Sequence, residues 1–426
     1  MLPYLVAINL TSRCNLACAH CYLDAHKRAR AGDELGYDEV AGVLADLASR
    51  APGTIVVLTG GEPLLWPRLD ELVALGTELG LRVVLGTNGM LLDEARVRRL
   101  KGLGLSGVGV SIDAVSAPTH DSFRGAPGSF ERACRATRLC VAHGLHAQLH
   151  FTVTRETRTD LGEVVQLAQA LGASIVHFFF LVCVGRGERR MDLNPAEYEQ
   201  CLLEIADLQA ESHGIMVQTR CTPHFKRVLY QRDPAAEFTR AQGYDGGGCP
   251  AATHYARIDP RGNVTPCPYM EVSGGNVRTD SFWDVWDRSP LFETLRSPER
   301  RGTCGACDFK ALCGGCRARS YLANGDLLGA DPSCAYTPPP TAAPIQLPAA
   351  DSAGEVRFTT EAEDRLGRVP LFVRRFLRRR LEASAREAGV TVVTTALMDT
   401  HRARRESELG CRFGDMTRPP TPRSKR

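Results

Sequence analysis

No stretch of this sequence approaches the ~18–20 consecutive apolar residues that a bilayer-spanning helix needs, so no membrane span is expected. The first ten residues lack the basic flank of a signal peptide, and their apolar stretch is too short for one. Together these absences predict a cytoplasmic protein. Strong net charge is absent as well: 52 Lys and Arg face 49 Asp and Glu, for a net +3. Only the C-terminal stretch is unbalanced, with 17 Lys and Arg against 10 Asp and Glu from Glu355 to Arg426. A solvated helix face and a frayed basic end account for that, and no nucleic-acid partner is predicted. Cysteine, by contrast, is abundant. Sixteen cysteines in a reducing compartment point to metal or cluster ligation rather than to disulfides.

The length suggests two or three domains. In the first half, short apolar runs alternate with amphipathic segments. Strands are predicted at 5–10, 54–59, 82–85, 107–112, 148–153 and 175–181, and helices at 37–49, 68–79, 93–103, 130–143 and 161–171, with a further helix at 195–212. Six β-then-α units in succession define an α/β fold with a parallel sheet and outer helices. In barrel-like sheets of this kind chemistry gathers at the C-terminal ends of the strands. The polar and glycine-rich stretches of this chain fall at those ends.

The first of them is Cys14-x₃-Cys18-x₂-Cys21-Tyr22, directly after the first apolar run. Thiolates are the usual ligands of iron–sulfur clusters, and three of them leave one iron of a four-iron cubane without a protein ligand. A zinc site completed by His20 and a redox pair in Cys18-x-x-Cys21 are the alternatives. Gly60-Gly61-Glu62-Pro63 follows the second strand, where two glycines permit close approach of the backbone to a ligand or simply make a turn. Asn88 precedes Gly89 after the third strand, and Ser111 and Asp113 end the fourth. Each suits a ribose or carboxylate, and each is also an ordinary turn or cap residue. Arg124 is either an anion partner or a surface arginine. Cys221 and His224 bracket a proline and are expected to be a buried thiol and a capping histidine.

The three-cysteine loop, its following aromatic and the Gly-Gly-Glu-Pro element together resemble the radical S-adenosylmethionine (SAM) enzymes. The resemblance implies a partial (β/α)6 barrel over residues 1–215 and a [4Fe-4S] cluster on Cys14, Cys18 and Cys21. In that family SAM chelates the open iron, and the reduced cluster cleaves it to methionine and a 5′-deoxyadenosyl radical. Tyr22, Gly60, Gly61, Glu62, Asn88, Ser111, Asp113 and Arg124 would then bind the cofactor, with Glu62 or nearby carbonyls on the amino group of SAM and Arg124 on its carboxylate.

Seven further cysteines crowd into about ninety residues: Cys249, Cys267, Cys304, Cys307, Cys313, Cys316 and Cys334. One or two iron–sulfur clusters fit them, as would two zinc sites. The pattern resembles the SPASM auxiliary-cluster domain, here expected over 216–340, with two residues instead of three between Cys313 and Cys316. Carried over by position, the resemblance implies one or two auxiliary [4Fe-4S] clusters. Cys304, Cys307, Cys313 and Cys334 would hold one. Cys249, Cys267 and Cys316 would hold the other, with the fourth ligand missing. Cys134, Cys140, Cys183, Cys201 and Cys411 fall in neither set and read as structural.

Finer text carries the resemblance further. Arg220-Cys-Thr-Pro-His-Phe-Lys-Arg, Gly262-Asn-Val-Thr-Pro-Cys-Pro-Tyr269, Trp283-Asp-Val-Trp286 and Cys313-Gly-Gly-Cys-Arg-Ala-Arg319 resemble the heme synthase family of the alternative heme pathway and, more distantly, the heme d1 radical SAM enzymes. This implies a small-molecule tetrapyrrole substrate whose propionates are oxidatively decarboxylated to vinyls. It also implies an electron donor such as ferredoxin or flavodoxin. Arg317 and Arg319 would grip propionates. Maturation of a ribosomally made peptide is the alternative. A Pro-rich linker at 341–354 leads to a small helical unit at 355–400, where Phe372, Val373, Phe376 and Leu377 repeat at helical spacing. That unit is similar to the small C-terminal domain found in the light-independent protochlorophyllide reductases. A disordered basic tail is expected at 401–426.

Overall fold

Seven parallel strands lie side by side in sequence order in the computed structural model: β1 Leu5–Asn9, β2 Ile55–Thr59, β3 Arg82–Thr87, β4 Gly107–Ser111, β5 His146–Val153, β6 Ile175–Phe180 and β7 Met216–Arg220. The structure describes residues 2–27, 29, 32–212, 214–236, 238–239, 248–340, 343–345, 356–367 and 371–409. The six predicted strands are all present, each within two residues of its predicted ends. Helices α1 Tyr37–Arg50, α2 Leu69–Glu78, α3 Glu94–Gly102, α4 Ala117–Arg124, α5 Ser129–Ala142, α6 Leu161–Ala170 and α7 Pro195–Glu211 connect them, and α8 His224–Arg232 follows β7. On α1 the buried residues are Val40, Val43, Leu44 and Leu47, a single stripe at helical spacing that packs on the sheet. Helix α4 was not expected, because its sequence is polar. A Ser116 side-chain cap starts it, and Gly125 in the left-handed conformation (φ 66°) ends it.

The sheet does not stop at residue 215. β7 extends it beyond β6, and at the other edge β8 Tyr255–Ile258 pairs in parallel with β1, in register Leu5↔Tyr255. β9 Asn263–Thr265 and β10 Gly275–Asn276 then add antiparallel strands, giving one ten-stranded sheet. The expected division between residues 215 and 216 therefore falls inside a continuous sheet, and the cysteine-rich region is built onto its β1 edge. The segment just before β8 lies beside the start of β1, where the Tyr4 N–H donates to the His254 carbonyl at 3.0 Å.

The C-terminal unit has its own small core of Ala362, Leu366, Leu381, Ala385, Val393 and Met398. Three helices, Thr360–Gly367, Leu371–Glu387 and Thr395–Leu409, surround it. It is not purely helical: Arg357–Phe358 and Val392–Val393 form a short parallel pair. The last helix runs to Leu409, so the disorder expected from residue 401 does not begin there; residues 410–426, with Cys411, lie outside the described residues. Of the expected apolar repeat, the side chains of Phe372, Val373 and Phe376 lie outside the described residues, and Leu377 packs against this core. Most of the predicted linker is likewise outside them. Its Ile345 is pinned, donating its backbone N–H to the Asp308 carbonyl at 3.0 Å. Among the described residues no helix is long and apolar enough to cross a membrane.

Candidate functional site

The loop after β1 carries Cys14, Cys18 and Cys21 and is held from three sides. The backbone N–H groups of Gly61 and Glu62 donate to the carbonyls of Thr11 and Arg13 at 2.7 and 2.9 Å. A Cβ on Gly61 would lie 2.2 Å from the Arg13 carbonyl, and one on Gly60 (φ 130°) would lie 2.6 Å from that of Thr11. The two glycines are thus required by close approach to the cysteine loop, where the sequence suggested close approach to a ligand. From the far side Gly185 (φ 59°) packs on the Cys21 carbonyl. Arg186 donates its Nε–H to the Cys18 carbonyl at 2.8 Å and pairs with Asp24 at 2.6 Å.

Donors surround the three sulfurs. The Leu16 N–H points to Cys14 Sγ and the Ala25 N–H to Cys21 Sγ, both at 3.4 Å. Arg124 Nη1 lies 3.6 Å from Cys18 Sγ, and Asn88 Nδ2 lies 3.8 Å from Cys14 Sγ. Burial pushes the Cys14 thiol up to about 11, so this pocket opposes ionisation unless a positive centre compensates. Iron would supply that charge, and N–H groups directed at sulfur suit cluster thiolates. The residues fit an iron–sulfur cluster. His20, the candidate zinc ligand, stacks on Phe123 with centroids 4.6 Å apart and places Nε2 3.8 Å from Asp113. Burial lowers its pKa to about 4, and its Nδ1 is buried without a hydrogen-bond partner. Among the described residues, no three His, Cys, Asp or Glu side chains are gathered closely enough to hold a single metal ion.

Several predicted cofactor residues have positioning roles. Glu62 is fully buried, and its carboxylate accepts from Thr87 Oγ1 at 2.7 Å, the Asn88 N–H at 2.9 Å and the Leu64 N–H at 3.2 Å. It ties the β2 and β3 loops together and is turned away from the cavity, which leaves backbone carbonyls as partners for an ammonium group. Burial raises its pKa to about 7 in spite of these donors. Asp113 is equally buried; Oδ1 accepts the Thr152 N–H at 2.8 Å and Oδ2 pairs with Arg124. Burial would raise the Asp113 pKa, but Arg124 and then His20 outweigh it and hold the carboxyl below its usual range. Arg124 is therefore a buried cation wedged between a carboxylate and the Cys18 sulfur, not a surface arginine. Asn88 donates to Asn15 Oδ1 at 2.8 Å, and Tyr22 lies within 3.2 Å of the Asn9 amide.

These groups open onto a cavity of about 1170 Å³. Small-molecule pockets usually hold roughly 300–1000 Å³, so there is room for a nucleoside cofactor and a large second ligand. Cys14, Cys18, Cys21, Tyr22, Gly60, Gly61, Asn88, Ser111 and Arg124 line one part, and Cys221, Cys249 and Cys316 line another. His150 and His177 stand on the strand wall with ring centroids 5.4 Å apart. A Cβ on neighbouring Gly109 would lie 2.2 Å from the His150 ring, so that glycine makes room for the imidazole. Burial lowers the His150 pKa to about 4 and that of His177 well below its ordinary value, keeping both neutral. Arg220 and Lys226 add cations to the wall, and burial brings Lys226 down to about 8. Arg378, Arg380 and Arg386 of the C-terminal unit also line this cavity.

Sequence reasoning missed the histidines, Arg220, Lys226 and Cys221. Alternation of polar residues along β5 was the available signal for His150, and His177 is the one polar residue in the apolar β6. Arg317 and Arg319, expected to grip a substrate, are instead buried braces. Arg317 donates to the carbonyls of Gly314, Gly315, Leu327 and Gly329. Arg319 pairs with Asp331 and donates to the Cys221 carbonyl.

The second cysteine set lies in two places. Cys304, Cys307, Cys313 and Cys334 line one small hollow beside His224 and Tyr336. The Phe309 N–H donates to Cys307 Sγ at 3.4 Å. Cys249, Cys267 and Cys316 form a separate group on the large cavity's side, within electrostatic reach of one another. Cys134, Cys140 and Cys201 are buried on α5 and α7. Cys183 lies just beyond the end of β6.

A barrel opening onto a three-cysteine loop, with further cysteine groups beside it, defines a class, and comparison with known proteins agrees. The radical SAM superfamily matches residues 8–168, and an iron–sulfur cluster-binding (SPASM) domain matches 249–308. The chain belongs to the radical SAM superfamily and is a SAM-dependent iron–sulfur enzyme. Among individual relatives, it is 38% identical to the AdoMet-dependent heme synthase of Methanosarcina barkeri over 342 residues, 79% of this chain and 97% of that one. It is 31% identical to the pre-heme d1 synthase of Dinoroseobacter shibae, over 77% of this chain and 85% of the other. The mycofactocin maturase MftC of Mycobacterium ulcerans is also 31% identical, over 78% and 88%. The crystal structure of Streptococcus suis SuiB bound to S-adenosylmethionine shares the fold, with TM-score 0.65 and 18% identity over 79% of this chain and 78% of that one. Residues 359–402 match the proto-chlorophyllide reductase 57 kD subunit.

Proposed function

We propose that this enzyme modifies an iron tetrapyrrole, converting propionate side chains to vinyl groups. The observation that carries the reading is the large cavity itself, which runs from the Cys14–Cys21 loop past two neutral imidazoles to a second cysteine group. When bound at Cys14, Cys18 and Cys21, a reduced [4Fe-4S] cluster supplies the electron that splits SAM into methionine and a 5′-deoxyadenosyl radical. Each propionate then gives up one hydrogen atom from its β-carbon to that radical, and loses CO₂ and one electron to leave the alkene. The cysteine group on the cavity wall would hold an iron–sulfur cluster, and that cluster, oxidised, would accept the departing electron. A small reductant such as ferredoxin or flavodoxin supplies the first one.

The protein's own residues hold and orient. Arg220 and Lys226 offer charge-assisted donors to carboxylates. His150 and His177 are neutral and so offer nitrogen to a tetrapyrrole iron. Arg124 keeps a fixed positive charge beside Cys18. The relatives named as heme and pre-heme d1 synthases favour a tetrapyrrole; the mycofactocin maturase keeps a ribosomally made peptide as the alternative. The test is anaerobic reconstitution followed by absorption titration with iron-coproporphyrin and mass spectrometry of products. Micromolar binding and loss of CO₂ plus two hydrogens per converted side chain are expected. No binding, with turnover of a peptide substrate, would transfer the assignment to the maturases.

A further inference from the structure

The group of Cys249, Cys267 and Cys316 is not short of a fourth thiol. Cys221 follows β7 directly and lines the same cavity wall as Cys249 and Cys316. It stands at φ 62°, one of three non-glycine residues with positive φ among the described residues. A side chain in that conformation costs roughly 1–2 kcal/mol, and such residues persist where the surroundings dictate the geometry. Here the surroundings are explicit. The Cys221 carbonyl accepts from Arg319 Nη2 and, at 3.5 Å, from the Tyr198 hydroxyl. Arg319 is bonded through Nε to Asp331 Oδ1 at 3.2 Å, and Asp331 Oδ2 accepts the backbone N–H of Cys316 at 2.7 Å. One buried network thus sets the backbone of Cys221 and of Cys316 relative to each other. The thiol of Cys221 has Cys316 and Cys249 as electrostatic neighbours and a hydrogen bond from Tyr269, two residues beyond Cys267. Cys267 in turn has Cys249, Cys316 and Cys221 as neighbours. Four thiols from four separate segments are thus electrostatic neighbours, three of them on the wall of one cavity.

We propose that Cys221 is the fourth thiolate of the auxiliary cluster on Cys249, Cys267 and Cys316. This rests on reading the cysteine-rich region as an iron–sulfur domain. Its consequence is a division of labour. With four cysteine ligands that cluster has no open iron, so it does not bind substrate directly and serves as an electron relay. The N-terminal cluster, with three, keeps its open corner.

The experiment compares full-length Cys221→Ala, Cys249→Ala and Cys307→Ala proteins after anaerobic reconstitution. It uses iron and sulfide counts, electron paramagnetic resonance of the reduced state, and 5′-deoxyadenosine formed from SAM with dithionite. Cys221→Ala and Cys249→Ala are expected to lose the same auxiliary signal, with either about four irons gone per chain or an altered, partly ligated cluster. Cys307→Ala removes the other auxiliary signal. Continued 5′-deoxyadenosine formation shows that the barrel has folded. If Cys221→Ala keeps full iron and an unchanged spectrum while Cys249→Ala loses a cluster, Cys221 is not a ligand and the proposal falls. If neither variant alters any iron signal, it is the reading of the region as an iron–sulfur domain that fails.

Discussion

The two cysteine assemblies facing the large cavity are built in opposite ways. Cys14, Cys18 and Cys21 come from one eight-residue loop, and the rest of the barrel is arranged to hold it: the two glycines after β2, the Gly185–Arg186 turn after β6, and Arg124 at the end of α4. Cys221, Cys249, Cys267 and Cys316 come from four segments spread over almost a hundred residues, two of which, those of Cys221 and Cys316, are tied by the Arg319–Asp331 network. A local loop with three thiols leaves a corner for a small ligand. An assembled cage with four thiols depends on tertiary structure and leaves none. The contrast explains why one was legible as a motif and the other seemed incomplete.

The largest effect expected from breaking the comparison is at the loop. Cys14→Ala should abolish 5′-deoxyadenosine formation while leaving the auxiliary signals in place; retention of SAM cleavage would show that the loop is not the site of that chemistry. Next comes Arg124→Ala. It strands the buried Asp113 carboxylate, and breaking a buried pair in this way costs about 3–5 kcal/mol. A urea midpoint unchanged from wild type would contradict the buried-pair reading. Gly61→Ala drives a Cβ toward the Arg13 carbonyl and should cost about 1–3 kcal/mol, with reduced iron at the N-terminal site and normal iron at the others. Equal loss at all sites would argue against a local role for the glycine.

The smallest effect is one of pH. Because burial holds His150 near 4 in the fold, against 6.5 in its absence, it binds its proton more weakly folded than unfolded. Its contribution to stability is therefore intact above pH 6.5 and is lost as pH falls from 6.5 toward 4. The imidazole stays neutral over the same range, so the absorption change on binding iron-coproporphyrin should be constant from pH 8 to about 5 and fade toward 4. A loss centred near 6.5 would mean that His150 is solvated. Glu62 works in the other direction: raised to about 7 by burial, it favours the fold below pH 4.5 and loses that contribution as pH rises through 7.

Alternating apolar runs made the six strands and their helices readable, since periodicity reports which face is buried. It could not report α4, whose stability comes from Ser116, Gly125 and contacts rather than from an apolar stripe. Nor could it place β7 and β8 in the same sheet, because that pairing is fixed by tertiary contacts at the two edges. At the site, the three cysteines were legible because they are adjacent in sequence. Glu62 and Asp113 were read as cofactor contacts and instead position loops and a guanidinium, since a carboxylate's direction is decided by its donors. Arg317 and Arg319 were misjudged for the same reason: buried carbonyls and Asp331 claim them. Cys221 looked like an isolated thiol because its neighbours come from distant segments.

The central claim is that the cluster on Cys14, Cys18 and Cys21 has one iron free for SAM. Electron paramagnetic resonance of the reduced, anaerobically reconstituted Cys249→Ala/Cys307→Ala protein isolates that cluster from the auxiliary ones. Adding SAM should shift the signal as its amino and carboxylate groups take the open corner. A signal that does not move at saturating SAM, from a cluster already carrying a fourth protein ligand, would contradict the account.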